Sequence, residues 1–298
     1  MRAIVPFALA LAVALALSAG PRQAAAGPKF HVITTTTDIK SIVMAVGGDR
    51  IDVESLAAPT QDPHSLELKP HQIARLRTAS LVVRIGLDHE PWLARMQTSA
   101  PVVNLSQSVR LLQTETPRLR VERQSHTHAF GNPHYWLDPK NSRPMAAAIA
   151  LALGKLSPAD QAYFEANRIA FSTRLEQRMP AWEHALAPYA GTRMVVMHDS
   201  WSYFADAFKL FIVAAAEPTP GVPPSPSELA RLYARMRDAK VALVIADPNS
   251  HPALVAQVAE RGHARVVALV PSVGADPAAG DYFALIDLNV ARLVKALR

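Results

Sequence analysis

Apolar and polar positions alternate along this chain between two kinds of run. The short stretches "FHVITTTT", "IDVESLA", "SLVVRIG" and "PVVNLS" read as β-strands. Between them "DIKSIVMAVGG", closed by Gly47 and Gly48, and "KPHQIARLRTA" carry helical spacing. The pattern returns in the second half, with "RMVVMHD", "LFIVAAAE", "VALVIADP" and "ARVVALVPS" as strands and "SPSELARLYARMRDA" and "PALVAQVAERG" as helices. Strand-helix alternation of this kind argues for mostly parallel sheets. The expected fold is α/β, with one lobe over residues 27–154 and a second over 190–298.

The segment between the lobes, 155–189, has the spacing of one long linker helix. Ser157 stands where an N-cap belongs, Pro158 at the first helical position and Asp160 three residues after Ser157. Pro180 lies well inside and lacks a backbone donor, so a kink or a break is expected there. A helix joining two lobes permits less motion than a loop hinge.

The first 26 residues add a destination. Arg2, an apolar core and the run Ala24-Ala25-Ala26 fit a secretory signal peptide, which predicts export to a periplasm. The chain has no cysteine, excluding disulfides, thiolate metal ligands, catalytic thiols and a lipid-bearing cysteine, so no lipid anchor is expected. Of 31 basic residues two lie in the leader, leaving 29 against 25 acidic, or +4. With no basic block or aromatic-interleaved basic stripe, nucleic acid is not an expected partner. Half the residues are hydrophobic, as a folded chain of this length requires.

The candidate chemistry lies where polar side chains follow apolar strands, since open α/β sheets bind ligands at the carboxyl ends of their strands. In "RMVVMHDSW" His198 directly follows four apolar residues. In "GNPHYWLDP" His134 is stiffened by Pro133, and in "DPHSLELKP" His64 follows Pro63, with Glu67 near enough to orient its imidazole. Each alone reads equally well as an ordinary loop or strand-end histidine. Together they are candidate ligands of a borderline metal ion, although spacing this wide is not a motif. His126 and His128, in "SHTHAFGNPH", are candidate capture residues in what is more commonly a solvated loop.

Enzyme signatures are missing: the sequence holds no H-E-x-x-H helix, Walker loop, G-x-S-x-G elbow or strand-to-helix G-x-G-x-x-G. A zinc hydrolase, built on three histidines with an open fourth position, is the rival reading. It lacks a second motif for a substrate, so no enzymatic activity is expected.

The ordered set "VGGDR", "DPHSLELKP", "ASLVVRIGLDHEPWL", "NPHYWLDP", "HDSWSYFADAF", "PPSPSELARL" and "GDYFALIDLNVARLVKAL" resembles the zinc- and manganese-specific solute-binding proteins of ABC transporters. The resemblance runs over nearly the whole chain after the leader. It implies two α/β lobes joined by one long helix, with a single ion between them. The implied ligands are His64, His134 and His198. Relatives place a fourth, an aspartate, after the last strand, where this chain has Pro271 and Ser272 and an aspartate only later, at Asp276.

Glu217 is preferred as the fourth ligand, because it follows a strand expected to neighbour that of His198 and sits among prolines. Asp247, also at a strand end, comes next, and Asp276 last; a water completes the shell if these acids only cap helices or loops. Three nitrogens favour Zn²⁺ over Mn²⁺. Tyr135, Trp136 and Trp201 are expected to shield the ion, and affinity to fall as pH drops through the histidine range near 6.5. The implied partner is the membrane permease of an ABC transporter, with a periplasmic metallochaperone as a further one, and the chain is expected to act as a monomer. Alternatives are a manganese- or iron-binding homologue, an adhesin, or a periplasmic partner that receives zinc.

Overall fold

The structure, a computed structural model, describes residues 29–112, 131–217 and 222–298. The leader and the capture residues His126 and His128 lie outside them. The first lobe contains β1 (Phe30–Thr34), α1 (Thr37–Gly47), β2 (Ile51–Ser55), α2 (Pro70–Thr78), β3 (Leu81–Arg84), β4 (Val102–Asn104) and α3 (Ser142–Leu156). After α4 (Gln161–Leu186) come β5 (Arg193–Val196), α5 (Ser202–Ala207), β6 (Phe211–Ala215), α6 (Pro226–Ala239), β7 (Leu243–Ala246), α7 (Pro252–Gly262), β8 (Arg265–Ala268) and α8 (Tyr282–Leu297).

Both sheets are parallel throughout and share one plan, β2-β1-β3-β4 and β6-β5-β7-β8. The central strands are apolar on both faces, as in "LVIA" of β7, because helices cover both sides of a parallel sheet. In each sheet the order reverses beside the first strand, between β1 and β3 and between β5 and β7. Such a switch point opens a crevice at the carboxyl ends of the strands. Residues just past β1, β2, β3, β5, β6 and β7 line one cavity of about 670 Å³.

Helix α4 runs for 26 residues, about 39 Å at 1.5 Å per residue. It starts one turn later than the spacing predicts: Ser157 opens a 3-10 turn over Pro158–Asp160, and its hydroxyl donates to the Asp160 carboxylate at 2.7 Å instead of capping α4. Pro180 does not break the helix. Buried Met179, Trp182 and Leu186 flank it and hold the last turns in place, so packing outweighs one lost backbone hydrogen bond.

One continuous apolar cluster joins the lobes. It runs from Val32 and Val83 through Phe164, Phe171 and Leu175 of α4 to Phe283 and Ile286 of α8, and on to Val196 and Ile245. Trp182 Nε1 donates to Asp287 on α8 at 2.7 Å, and the Arg174 guanidinium lies 4.1 Å from the Phe283 ring centre. Separating the lobes as rigid bodies would expose this cluster, so any opening is confined to the cleft side. Among the described residues no helix is long and apolar enough to cross a membrane.

Candidate metal centre

His64 stands in a one-turn 3-10 segment, Pro63–Ser65, because Asp62 folds back on it. Asp62 Oδ1 accepts the His64 backbone N–H at 2.9 Å and its Oδ2 accepts the Ser65 hydroxyl at 3.2 Å. From the loop after β3, Trp92 Nε1 donates to the Pro63 carbonyl at 2.8 Å, and the Asp88 carbonyl accepts from the His64 ring. Burial lowers the His64 pKa below its ordinary value, against the opposing pull of Asp62. Glu67, expected to orient this ring, is exposed; Asp62 and Asp88 hold the segment instead.

His134 is buried, and its tautomer follows from Asn132. The Asn132 amide nitrogen donates to the Asp199 carbonyl at 2.8 Å, which turns its Oδ1 toward His134. That oxygen accepts both the His134 backbone N–H at 2.9 Å and the ring Nδ1 at 3.0 Å. An amide oxygen only accepts, so Nδ1 carries the proton and Nε2 presents its lone pair. This is the outer-shell arrangement that fixes a metal-binding imidazole.

His198 follows β5 in the second lobe and is pushed down to about 4, chiefly by burial and then by the neighbouring His64. The ring centres of His64, His134 and His198 stand 6.0, 6.2 and 5.4 Å apart, and one nitrogen from each lies within 4.8 Å of the others. Nitrogens on one tetrahedral zinc ion, with bonds of 2.0 to 2.1 Å, stand about 3.4 Å apart. The three nitrogens therefore need to close by at most about 1.4 Å to share an ion of this kind. Three imidazoles without a thiolate suit a borderline ion better than a hard one.

Strand order decides which acids reach the cleft. β6 and β7 flank β5, so Glu217 and Asp247 stand on either side of His198, and both line the cavity. The Glu217 backbone N–H donates to the Met197 carbonyl at 3.0 Å. Asp247 Oδ1 accepts Trp201 Nε1 at 2.7 Å, and burial, with the Glu217 charge beside it, raises its pKa to about 7. Asp276 does not line this cavity: its carboxylate accepts from Arg292 at 2.5 Å and from the Ala278 backbone at 2.8 Å. Its loop is tied down upstream, where Trp136 Nε1 donates to the Pro271 carbonyl at 2.8 Å and the Val273 N–H donates to Asp38 at 2.9 Å.

The three aromatic residues divide their roles. Trp136 forms a wall of the cavity, its ring centre 5.2 Å from that of His134. Trp201 is buried and holds Asp247, while Tyr135 packs in the core and donates to the Ile85 carbonyl at 2.7 Å.

The sequence reading passed over His89. It is 1 % exposed, and its ring centre lies 4.6 Å from that of His64 and 5.3 Å from that of His134. The turn that places it runs through Gly86, Leu87 and Asp88, all left-handed, at φ of 85°, 56° and 59°. For the two non-glycine residues this costs about 1 kcal/mol each. Buried Glu90 locks the turn by accepting from Thr35 Oγ1 at 2.6 Å, Ile85 N at 2.7 Å and Gly86 N at 3.0 Å.

Two parallel α/β lobes fused along one helix, with an imidazole cluster in the cleft between them, define a metal-ion-binding protein of the two-lobed solute-receptor class. The chain belongs to the family described as zinc-uptake complex component A, periplasmic, which matches residues 32–296. It is 29% identical to the high-affinity zinc uptake system protein ZnuA of Paracoccus denitrificans, over 94% of this chain and 95% of that one. With the protein of the same name from Yersinia pestis it shares 26% identity, over 80% and 82% of the two chains. A crystal structure of ZnuA superposes with a TM-score of 0.78 at 25% identity, covering 91% of this chain and all of that one. The fold recurs, at 18% identity and a TM-score of 0.77, in a manganese-bound periplasmic metal-binding protein from Candidatus Liberibacter asiaticus, again over 91% of this chain and all of that one.

Proposed function

We propose that this chain is the periplasmic receptor that captures Zn²⁺ and delivers it to the membrane permease of an ABC transporter. His64, His134 and His198 supply three nitrogens and Glu217 an oxygen, with Asp247 next to it as the alternative donor. The observation that carries this reading is the convergence of three histidine nitrogens, from both lobes, within 4.8 Å of one another. The relatives named for zinc uptake support zinc as the cargo. So does the donor set, since nitrogen-rich sites favour zinc over manganese.

The proposal also includes the N-terminal signal peptide and periplasmic address that the leader suggests, action as a monomer, and a periplasmic metallochaperone as a further partner. The protein's own residues bind, orient and release the ion, and the reading assigns no bond-making step to them.

A competition titration of metal-stripped protein with Zn²⁺ and Mn²⁺ against a chromophoric chelator tests this. One tight site that prefers zinc and is lost in His64→Ala and His134→Ala is expected; equal affinity for the two ions would overturn the zinc assignment.

A further inference from the structure

The three imidazoles that converge in the cleft are not equally spaced. A ring bound through one nitrogen holds its centre about 3.2 Å from the ion, so two rings on a tetrahedral ion stand about 5.2 Å apart. His134 and His198 meet that spacing at 5.4 Å, while His64 stands 6.0 Å from the first and 6.2 Å from the second, about 1 Å too far from each. Two ligands therefore sit at binding distance from each other, and the third is set back.

The hydrogen bonds around them divide in the same way. His134 precedes α4, yet the segment that carries it is fastened at both ends to residues that follow α4. At one end the Asn132 amide nitrogen donates to the Asp199 carbonyl at 2.8 Å, and the Asn132 carbonyl accepts the Tyr203 hydroxyl at 3.1 Å. At the other end Trp136 Nε1 donates to the Pro271 carbonyl at 2.8 Å, and the Trp136 carbonyl accepts the Tyr282 hydroxyl at 2.6 Å. Asn132, Trp136, Tyr203 and Tyr282 are all buried. The Tyr203 oxygen also accepts the Leu112 N–H at 2.8 Å, so this one atom ties two backbone groups of the first lobe to α5. His64, by contrast, is shaped by Asp62, Asp88 and Trp92 of its own lobe.

Building on the reading above, we infer that His134 and His198 are a preformed two-nitrogen seat for the ion, that Tyr203 is the positioning residue that keeps the seat assembled, and that His64 is the ligand that closes. The ion lands on the seat first. The His64 loop then moves in by about 1 Å and completes the shell. Release to a permease begins with His64 and leaves the other two nitrogens at their spacing. The lobes need not part, a motion that would break the four bonds at the ends of the His134 segment.

The test is a zinc competition titration on the full chain as wild type, His64→Ala, His134→Ala, Tyr203→Phe and the Tyr203→Phe, His64→Ala double variant, with zinc-edge X-ray absorption on zinc-loaded His64→Ala. His64→Ala is expected to lose the tight site and keep a weaker one, with two imidazoles around the ion. His134→Ala is expected to bind at least about tenfold more weakly than His64→Ala. Tyr203→Phe removes only the hydroxyl and is expected to cost about tenfold, both alone and in the His64→Ala background, since it acts on the seat. Circular dichroism reads whether each metal-free variant is folded at the titration temperature. The comparison of His64→Ala with His134→Ala decides the matter if Tyr203→Phe is not.

His64→Ala that binds as weakly as His134→Ala, or that holds zinc on other than two imidazoles, overturns the inference. So does a folded Tyr203→Phe variant that is silent in the His64→Ala background. In those cases tight zinc binding by wild type leaves the functional reading standing and only the seat fails. If wild type binds no zinc, the functional reading itself fails.

Discussion

Asn132 holds His134 by two hydrogen bonds to one oxygen, at 2.9 Å to the backbone N–H and 3.0 Å to ring Nδ1. Through its amide nitrogen it also reaches the Asp199 carbonyl, beside His198. A single side chain therefore sets the tautomer of one candidate ligand and ties it to the strand end that carries another. Asn132→Ala is expected to lower zinc affinity about tenfold to a hundredfold. Titration against a chelator reads the loss, and unchanged affinity would remove Asn132 from the site's support.

The pH response expected from the surroundings of His198 and His64 differs from the one the sequence suggests. His198 is held down to about 4 and His64 below its ordinary value, both chiefly by burial. A lowered pKa keeps the nitrogen neutral at neutral pH, so protons compete with the ion for His64 only below its ordinary range and for His198 only near pH 4. The contribution of His198 to zinc affinity is expected to persist from pH 7.5 to 6 and to be lost as pH approaches 4. Titrations of wild type and His198→Ala across that range check it; a difference between the two that closes at pH 6.5 would contradict it.

Asp38 makes the opposite prediction for stability. It is fully buried, accepts the Val273 N–H across the lobes, and burial raises its pKa to about 7. In the unfolded chain its pKa is near 3.9, so between pH 4 and 7 the folded state binds the extra proton and stability falls as pH rises. Asp38→Asn keeps an acceptor without a charge. Relative to wild type it is expected to gain stability on going from pH 5 to pH 8, by about 2 to 4 kcal/mol. Thermal unfolding at both pH values decides it, and a relative loss at pH 8 would contradict the argument.

Phe171 on α4 packs with its ring centre 5.0 Å from that of Phe283 and 6.2 Å from that of Tyr282, both on α8. Truncating it opens a cavity in the cluster that joins the lobes. Phe171→Ala is expected to cost about 3 to 5 kcal/mol in denaturant unfolding, with a single transition if the lobes unfold together. Two separate transitions would show that the shared cluster does not couple them.

The fold was legible because several strands are apolar runs ended by a polar residue, as in "RMVVMHD" and "VALVIADP". The same feature exposed His198 and Asp247, and proline flanks exposed His64 and His134. His89 carries neither mark: it lies five residues past the end of β3, in "GLDHEP", and reaches the cleft only through a left-handed turn. That turn has glycine at just one of its three positions, so the backbone reversal leaves little trace in residue type. The place of Asp276 was hidden for a related reason. Sequence distance from the last strand does not reveal that Trp136 and Asp38 hold the loop's backbone while Arg292 takes the carboxylate.

The central claim is that one ion sits between the lobes on His64, His134 and His198. Zinc-edge anomalous diffraction from crystals of the zinc-loaded protein tests it most directly. A single strong peak is expected about 2.1 Å from one nitrogen of each of these three rings, with a Glu217 oxygen completing the shell. A peak outside the cleft, or none among the three imidazoles, would contradict it.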